Sequence, residues 1–179
     1  AFKQAGVIEV DTLNALFEAA LAFDFQPLPA GNRAVIITNA GGPAALASDA
    51  LSTSGLVLDD LEQDTRDTLR GALNPAAQVG NPVDILGGAE PPDYALCTGT
   101  LMKDDSVDIV LPLLVPQALV SPAGVAQAIV DASAGREKTV LACIMGDISV
   151  GEARLVLHAN RIPMYTQPES IGTVLKAML

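Results

Sequence analysis

Two short stretches of the chain pair adjacent glycines with small polar residues, and each could bind an anion. The first is the turn Asn39-Ala40-Gly41-Gly42-Pro43, which follows an apolar run and precedes a helical pattern. Backbone N–H groups at the start of a helix lack partners, and the helix dipole adds roughly half a positive charge there. Such a turn can hold a phosphoryl or carboxylate group without a basic side chain. The glycines equally suit a tight strand-to-helix turn that binds nothing.

The second stretch is Asn81-Pro82-Val83-Asp84-Ile85-Leu86-Gly87-Gly88-Ala89, which brings an amide, a carboxylate and a glycine pair together. Taken alone, it is more typical of a structural turn in which Asp84 accepts hydrogen bonds from nearby backbone. The first stretch is not a Walker loop, because no Gly-Lys-Ser/Thr sequence follows its glycines, and it is not a GxGxxG dinucleotide fingerprint. Each pattern is therefore a weak signal by itself.

The other candidates for chemistry do not predict a complete catalytic apparatus. His158 is the only histidine, lies far in sequence from both glycine stretches, and is expected to have a structural or surface role. Cys97 and Cys143 match no metal-binding or redox spacing and are expected to be structural. No Ser-His-Asp arrangement, metal-binding cluster or suitable lysine nucleophile is evident. We therefore expect this chain to contribute half of a site and to bind no metal or cofactor alone.

Composition excludes two classes of partner. A formal net charge of -11 and a pI of about 4.2 disfavour nucleic acid, whose binding depends on Lys and Arg neutralising phosphates. Within that acidic balance, Asp104, Asp105 and Asp108 are interpreted as a solvated face at the start of a strand. No apolar stretch reaches the roughly 18 residues that a membrane-spanning helix needs. We expect neither a nucleic-acid nor a membrane partner.

The chain begins at Ala1, without a methionine or a targeting segment. Removal of an initiator methionine would also explain this start, but we expect the chain to be part of a longer polypeptide. Two cysteines without a signal peptide are typical of a reduced protein, so we expect a cytoplasmic location.

The two glycine stretches must be positioned by an alternation of strands and helices. Helical spacing of apolar residues predicts a helix over 11–25, and the proline-rich stretch 26–32 predicts a linker. From residue 33, apolar β-branched runs alternate with helical patterns. The runs predict strands at 33–38, 55–58, 106–113, 139–144 and 162–165, and the patterns predict helices at 44–54, 63–73, 93–102, 125–134, 151–160 and 170–179.

This alternation predicts an α/β fold: a flavodoxin-like, doubly wound parallel sheet of about five strands in the order 2-1-3-4-5, in a three-layer α/β/α arrangement with an N-terminal helix. Residues 1–30 are expected to be a segment that leads from a preceding domain, and residues 31–179 to form the domain itself. Ligands of such sheets bind at the carboxyl ends of the strands where the strand order reverses. Here the turn 39–43 and the segment 113–117 should meet at that point.

Six short motifs, taken in order, resemble those of nucleoside-diphosphate-forming acyl-CoA synthetases, which include the ADP-forming acetate–CoA ligases and belong to the succinyl-CoA synthetase superfamily. The motifs are Gly6-Val7-Ile8, Gly31-Asn32-Arg33, Thr38-Asn39-Ala40-Gly41-Gly42-Pro43, Asn81-Pro82-Val83-Asp84, Ile162-Pro163 and Pro168-Glu169. The resemblance extends along nearly the whole chain, and the ordered combination is much more specific than any single motif. It identifies the chain as the flavodoxin-like ligase domain of such an enzyme.

The resemblance implies a multidomain enzyme that converts acid, CoA and ATP into acyl-CoA, ADP and phosphate through an acyl phosphate and a phosphohistidine. By comparison with the family, Asn39, Ala40, Gly41, Gly42 and Pro43 match the turn that faces the phosphoryl group. A looser match assigns Asn81, Asp84, Gly87 and Gly88 to the neighbouring loop of the acyl and phosphate site.

The family's phosphorylated histidine lies in a stretch upstream of this chain's first residues, and His158 does not match it. The parent enzyme is expected to use CoA, ATP or ADP, and Mg²⁺. Its CoA-binding and ATP-grasp domains, on the same protein or on a partner subunit, would be the partners of this domain. The ligand would be phosphate or an acyl phosphate, and this piece alone should be inactive.

Two other functions remain open at this stage. One is a noncatalytic, synthetase-like regulatory domain of a protein lysine acetyltransferase, and the other is a stand-alone ligand-binding module. A flavodoxin proper is disfavoured because the chain has no Trp and only two Tyr residues. A receiver domain is disfavoured because the first strand ends at Asn39 and not at an acidic pair.

Overall fold

The computed structural model describes residues 3–5, 7–135 and 137–179. Gly6, the first residue of one family motif, lies outside the described residues. The expected alternation of strands and helices is confirmed. The helices are α1 (Leu13–Phe25), α2 (Gly41–Thr53), α3 (Gln63–Ala72), α4 (Pro91–Leu101), α5 (Pro122–Ala132), α6 (Gly151–Ala159) and α7 (Pro168–Met178), and the strands are β1 (Ala34–Thr38), β2 (Gln78–Val79), β3 (Val83–Asp84), β4 (Ile109–Leu114), β5 (Thr139–Val140), β6 (Ala142–Ile144) and β7 (Met164–Tyr165).

The sheet is mostly parallel, and its strands follow the order β2-β3-β1-β4-β6-β7, with β5 paired to the beginning of β4. β5 and β6 together occupy the single strand predicted at 139–144. β1 and β4 are adjacent at the centre of the parallel part along five residue pairs from Ala34–Ile109 to Thr38–Leu113. The parallel part has the predicted order, except that β3 takes the place of the predicted second strand. At one edge, the short strand β2, which was not predicted, pairs with β3 in the antiparallel direction.

The predicted strand at 55–58 is wrong, because Val57 forms only a single bridge to Arg33 beside the start of β1. β3 completes that edge of β1 further along, where Val83 pairs with Ile37. Along this edge of β1, the Asn81 side chain lies between the Val57 bridge and β3. Its side chain accepts a hydrogen bond from Ile36 N and donates to the carbonyl oxygens of Ala34 and Asp59.

Alternate residues of the strands enter two apolar cores, one on each face of the sheet. Val35 and Ile37 pack with α3, α4, α5 and α6, whereas Ala34 and Ile36 pack with α1, α2 and α7. This arrangement confirms the three layers. Among the described helices, none has both the length and the apolar content needed to cross a membrane.

The helices on the second face are held close by small residues. α1 buries Ala19 and Ala22, and its N-cap residue Thr12 accepts a hydrogen bond from Ala15 N at 3.1 Å. α7 approaches α2 so closely that a Cβ on Gly172 would lie 2.5 Å from the carbonyl oxygen of Ala50. The position of α2, and with it the start of that helix, is therefore fixed by close backbone contact with α7.

Candidate functional site

The reversal of strand order between β1 and β4 brings the predicted segments together at the carboxyl ends of these strands. Asn39, directly after β1, is 4% exposed. Its side chain donates to Val115 O at 2.9 Å and accepts from Val115 N at 2.8 Å. Because both ends of the amide are used, the Asn39 side chain ties the turn to the end of β4, and the turn can offer a ligand only its backbone at this position.

The glycine pair lies inside the first turn of α2, three residues earlier than the predicted helix start at residue 44. Ala40 is the N-cap residue in an extended conformation, and no side chain caps this helix. The first backbone hydrogen bond of the helix runs from Ala44 N to Ala40 O at 3.3 Å. Pro43 has no N–H to donate, so its place in the first turn costs the helix nothing.

The N–H groups of Gly41 and Gly42 therefore remain as donors at the start of α2. Within the described part of the chain, neither has an acceptor, and both residues are exposed to solvent. A Cβ on Gly42 would meet no atom within 4 Å. The surface in front of these donors is thus open, and the helix dipole favours a negative charge there.

The second glycine stretch borders this turn. Asp84 pairs with Thr38 in the sheet register, and Ile85 N donates to Thr38 O at 2.8 Å. One carboxylate oxygen of Asp84 accepts from Leu86 N at 2.9 Å, and the other would lie 3.8 Å from a Cβ on Gly41. Asp84 accordingly caps local backbone, as its sequence context predicted, and also places a negative charge beside the start of α2.

The structure separates the remaining residues of this stretch into two groups. Gly87 and Gly88 are exposed, and a Cβ on Gly87 would lie 3.9 Å from the carbonyl oxygen of Asn39, so Gly87 borders the same crevice. Gly88 lines a separate pocket with Leu86 and Glu90. Between these glycines and Asp84, Leu86 has a φ of 71°, in the left-handed region that few non-glycine residues adopt. Asn81, in contrast, is directed into the edge of β1, where its amide has backbone partners.

A cleft of about 460 Å³ runs from Gly41 along the side of α2. One wall is α2 and the other is the antiparallel edge formed by β2 and β3. Of the described residues that line it, none is Lys, Arg or His; they are Thr38, Gly41, Ala44, Ala45, Ser48, Asp49, Gln78, Pro82 and Asp84. Sequence reasoning missed Ala44, Ala45, Ser48, Asp49 and Gln78, although the helical spacing of small residues after Gly41 was a signal for the α2 wall.

His158 lies near the end of α6, beside the edge strand β7. Its Nε2 accepts a hydrogen bond from Met164 N at 3.3 Å, and its ring contacts Phe25 edge-on with 5.6 Å between centroids. Burial, and secondarily the charge of Arg154, lowers the pKa of His158. These contacts give the imidazole a structural environment, as expected from sequence.

Both cysteines are buried and free, which agrees with the structural role expected of them. Burial, together with the nearby charge of Asp93, raises the pKa of Cys97 to about 12. Burial, with a contribution from Glu169, raises the pKa of Cys143 to about 12. Both thiols therefore stay protonated at neutral pH and are not activated nucleophiles.

The interpretation of the three aspartates as a solvated face is wrong for two of them. Asp104 and Asp108 are 4% and 7% exposed, and only Asp105 faces solvent. Asp108 accepts hydrogen bonds from Arg33 N at 3.0 Å, Nε at 2.8 Å and Nη2 at 2.7 Å. The hydrogen bonds from Arg33 hold the pKa of Asp108 below its usual value.

No group of three or more His, Cys, Asp or Glu side chains in the ranges that the structure describes is placed to hold a metal ion. The architecture and the crevice define a class of protein: doubly wound α/β domains with an uncapped helix start at the switch point of the sheet.

The chain belongs to the Ligase-CoA domain family, whose model matches residues 34–178. It is similar to the alpha subunit of ADP-forming acetate–CoA ligase II of Pyrococcus furiosus, with 38% identity over all of this chain and 40% of that protein. It is also similar to the ADP-forming 4-hydroxybutyrate–CoA ligase of Nitrosopumilus maritimus, with 34% identity over 99% of this chain and 25% of that protein. The chain therefore spans well under half the length of these relatives.

Solved structures are also similar to this chain along nearly its whole length. A crystal structure of a protein from Pyrococcus horikoshii superposes on 99% of this chain and 41% of its own, with a TM-score of 0.94 and 38% identity. Dinucleotide-forming acetyl-coenzyme A synthetase 1 of Ca. Korarchaeum cryptofilum, in complex with phosphate and ADP, superposes on 99% of this chain and 39% of its own, with a TM-score of 0.92 and 31% identity.

Proposed function

We propose that this chain acts as the ligase domain of a cytoplasmic ADP-forming acyl-CoA synthetase, in which the start of α2 stabilises the phosphoryl group. The observation that carries the proposal is the pair of unpartnered N–H groups of Gly41 and Gly42, open to solvent at the switch point of the sheet. Donors of this kind bind phosphoryl oxygens, and the helix dipole adds to the attraction. The same function is supported by two similar proteins, both of which are ADP-forming CoA ligases.

The residues around the two glycines then have distinct roles. Asn39 positions the turn through its hydrogen bonds with Val115. Ala40 N donates to Thr38 Oγ1 at 3.0 Å, which keeps the N-cap residue extended and turns the N–H groups of Gly41 and Gly42 outward. Gly87 forms the facing side of the crevice. Pro43 leaves the first turn without a further donor, so Gly41 and Gly42 supply the N–H groups that meet the ligand.

The remaining parts of the reaction are assigned to other domains. The structural environment of His158, beside the edge strand β7, supports a phosphorylated histidine supplied from elsewhere. CoA, the nucleotide and Mg²⁺ would be bound mainly by CoA-binding and ATP-grasp domains of the same protein or of a partner subunit. We further propose that residues 31–179 form the ligase domain and that residues 1–30 connect it to a preceding domain.

The first test is the binding of inorganic phosphate to this chain, measured by isothermal titration calorimetry. Gly42→Val is expected to weaken binding at least tenfold, because a β-branched side chain shields the N–H groups at the start of α2. The side chain itself has room, since a Cβ on Gly42 meets no atom within 4 Å. The matched control is Gly71→Val on α3, which is also helical, exposed and free of contacts at the Cβ position.

Phosphate affinity that is equal in the wild type, Gly42→Val and Gly71→Val would contradict the proposed site. A second measurement concerns catalysis. The chain is expected neither to become phosphorylated nor to form acyl-CoA when supplied with acetate, CoA and ATP, and measurable turnover would overturn the assignment of the histidine to another domain.

A further inference from the structure

We infer that the outer face of α1 is the surface on which the preceding domain of the parent protein docks. The outer face consists of the exposed apolar residues of this helix, which are Leu13, Leu16, Phe17, Ala20 and Phe23. The inference rests on the proposed function, because the preceding domain belongs to that proposal. It assigns a partner to a surface that the glycine stretches do not include.

The first step is the presence of two apolar faces on one helix. Ala19 and Ala22 are buried against the rest of the chain. With 3.6 residues per turn, Leu13, Phe17 and Ala20 lie on the other side of the helix. Leu13 is 67% exposed and Phe17 is 66% exposed. A helix that is apolar on opposite sides is typical of burial between two bodies, and the described part of the chain provides one of them.

The second step is that α1 cannot turn its outer face inward. The hydroxyl of Tyr165 donates to Glu18 O at 3.1 Å. Directly after the helix, the buried Gln26 side chain accepts from Val140 N at 2.9 Å and donates to Arg161 O. A rotation of α1 would break these bonds and leave buried polar groups without partners, which is costly. The fold of this chain therefore holds the outer face toward solvent.

The third step is the size of the outer face. Its four large side chains present roughly 450 Å² of surface, counting about 200 Å² for a fully exposed large apolar residue. Two copies of this chain joined through their outer faces would bury about 900 Å² in total, which is less than the roughly 1,200 Å² of a specific, stable interface. A domain of the same polypeptide needs less area, because its contact is intramolecular. The size therefore favours the preceding domain over a second copy.

The fourth step is the charge of the helix. α1 contains Glu18 and Asp24 and neither Lys nor Arg. Helices that bind lipid surfaces combine an apolar face with Lys and Arg on the polar face, so that anionic headgroups attract them. An acidic helix lacks this attraction. The outer face therefore fits an apolar protein surface better than a membrane.

The fifth step is the direction in which the exposed apolar residues continue. Val7 and Ile8, which precede the helix, are 50% and 51% exposed. Apolar exposure thus extends from α1 toward the upstream end of the chain. The similar ligase subunit of Pyrococcus furiosus is much longer, since this chain spans 40% of it. A parent protein of comparable length would have a further domain available to cover both segments.

The test is hydrogen exchange of the α1 amides, measured by mass spectrometry in the full-length parent protein and in this 179-residue chain. Exchange of residues 16–23 should be at least about tenfold slower in the parent, because the covered helix opens only when the two domains separate. Phe17→Ser in the parent should remove most of this protection and speed the exchange at least about threefold.

Two controls accompany this variant. Leu155→Ser on α6 removes a side chain that is 72% exposed, and it should leave the exchange of α1 unchanged. In the 179-residue chain, Phe17→Ser should shift the melting temperature by less than about 2 °C, because this side chain lies mostly in solvent. A larger fall would show that the outer face stabilises this domain itself, and the inference would be wrong.

Three other results would overturn the inference. One is equal exchange of α1 in the parent and in this chain. Another is a dimer of this chain, detected by sedimentation, that Phe17→Ser dissociates, because the occupant would then be a second copy. The third is binding to vesicles of anionic phospholipid that Phe17→Ser abolishes.

These results are distinguishable from failure of the proposed function. If phosphate binds at Gly42 but α1 has no additional protection in the parent, the docking surface is wrong and the phosphoryl site stands. If α1 is protected in the parent and phosphate does not bind, the docking surface stands without the phosphoryl site.

Discussion

Asp84 is the residue whose chemistry conflicts most with anion binding at the start of α2. Its carboxylate lies beside Gly41, and one of its oxygens is held by Leu86 N. A carboxylate in this position repels a phosphoryl group, so Asp84 can border the site without attracting the anion. In the proposed site, Asp84 would shape the loop that leads to Gly87 and would weaken the binding of a free anion.

Asp84→Asn is therefore expected to tighten the binding of inorganic phosphate in magnesium-free buffer by about fivefold, because one nearby negative charge is removed. The asparagine oxygen can still accept from Leu86 N, so the loop should keep its conformation. Calorimetric titration gives the affinity. The control is Asp131→Asn on α5, which makes the same change in net charge at an exposed position. Weaker binding in Asp84→Asn than in this control would mean that the carboxylate assists the ligand.

Asp108 gives a prediction of pH dependence. Hydrogen bonds from Arg33 lower the pKa of this buried carboxyl in the folded chain. A group with a lowered pKa contributes stability above its unfolded pKa of about 3.9, and that contribution is lost as the pH falls through the lower folded value. Asp108→Asn should lower the free energy of unfolding at neutral pH by about 1.5–3 kcal/mol, and should lose less stability than wild type on acidification below about pH 4.

Urea unfolding at several pH values measures both effects. Asp67→Asn is the matched control, because Asp67 also pairs with an arginine, Arg70 at 3.0 Å, but both side chains are 59% exposed. Exposed pairs of this kind contribute about 0–1 kcal/mol. If Asp67→Asn and Asp108→Asn lowered the free energy of unfolding equally, the pair of Asp108 and Arg33 would contribute no more to stability than an exposed pair.

At the scale of elements, the contact between α2 and α7 determines how firmly the start of α2 is held. Gly172→Ala would place a Cβ 2.5 Å from the carbonyl oxygen of Ala50, so the helices must move apart. The expected cost is about 1–3 kcal/mol of unfolding free energy, typical of overpacking a core. Thermal unfolding or urea unfolding measures it.

Gly71→Ala in α3 is the control for helix propensity. Alanine there meets no atom within 4 Å and should stabilise the chain by up to about 1 kcal/mol. If Gly172→Ala were as stable as Gly71→Ala, the close packing of α7 on α2 would not be a constraint on the fold.

The elements also show where prediction from the sequence succeeded and where it could not. Helix α1 and strands β1 and β4 have strong periodic or apolar patterns, and the structure has them within a few residues of the predicted bounds. β2 and β3 have two residues each, and Pro82 argues against a strand beside it. Their position depends on the Asn81 side chain, which bonds to β1 from 45 residues away. No local pattern contains that information.

The lack of a local sequence signal also explains which parts of the candidate site were not predicted. The glycine turn was predicted because its donors follow from local backbone chemistry. The cleft was missed because its second wall is formed by β2 and β3. The burial of Asp108 was missed for a similar reason, since its partner Arg33 is 75 residues away in sequence.

At the scale of the whole molecule, the formal net charge of -11 is the dominant electrostatic property. Self-repulsion of this size destabilises the compact state and is screened by salt. The melting temperature should therefore rise by a few degrees between about 10 mM and 200 mM sodium chloride, where the Debye length falls below about 10 Å. A melting temperature that falls with salt would mean that favourable ion pairs outweigh the repulsion.

Sodium phosphate at matched ionic strength separates screening from binding. Phosphate should raise the melting temperature of wild type beyond the effect of chloride, because a ligand that binds the folded state stabilises it by mass action. Gly42→Val should lose this additional increase and keep the response to chloride.

The proposed site at the start of α2 would hold its ligand with backbone alone, and this has a chemical consequence for an enzyme of the proposed kind. An acyl phosphate is a mixed anhydride that transfers its acyl group to unprotonated amines and thiolates. Of the described residues that line the cleft, none bears an amine, a thiol or an imidazole, and amide N–H groups are not nucleophiles. A site built from lysine would be at risk of acylation by its own substrate. The Gly41 and Gly42 donors can hold an activated acyl group without reacting with it.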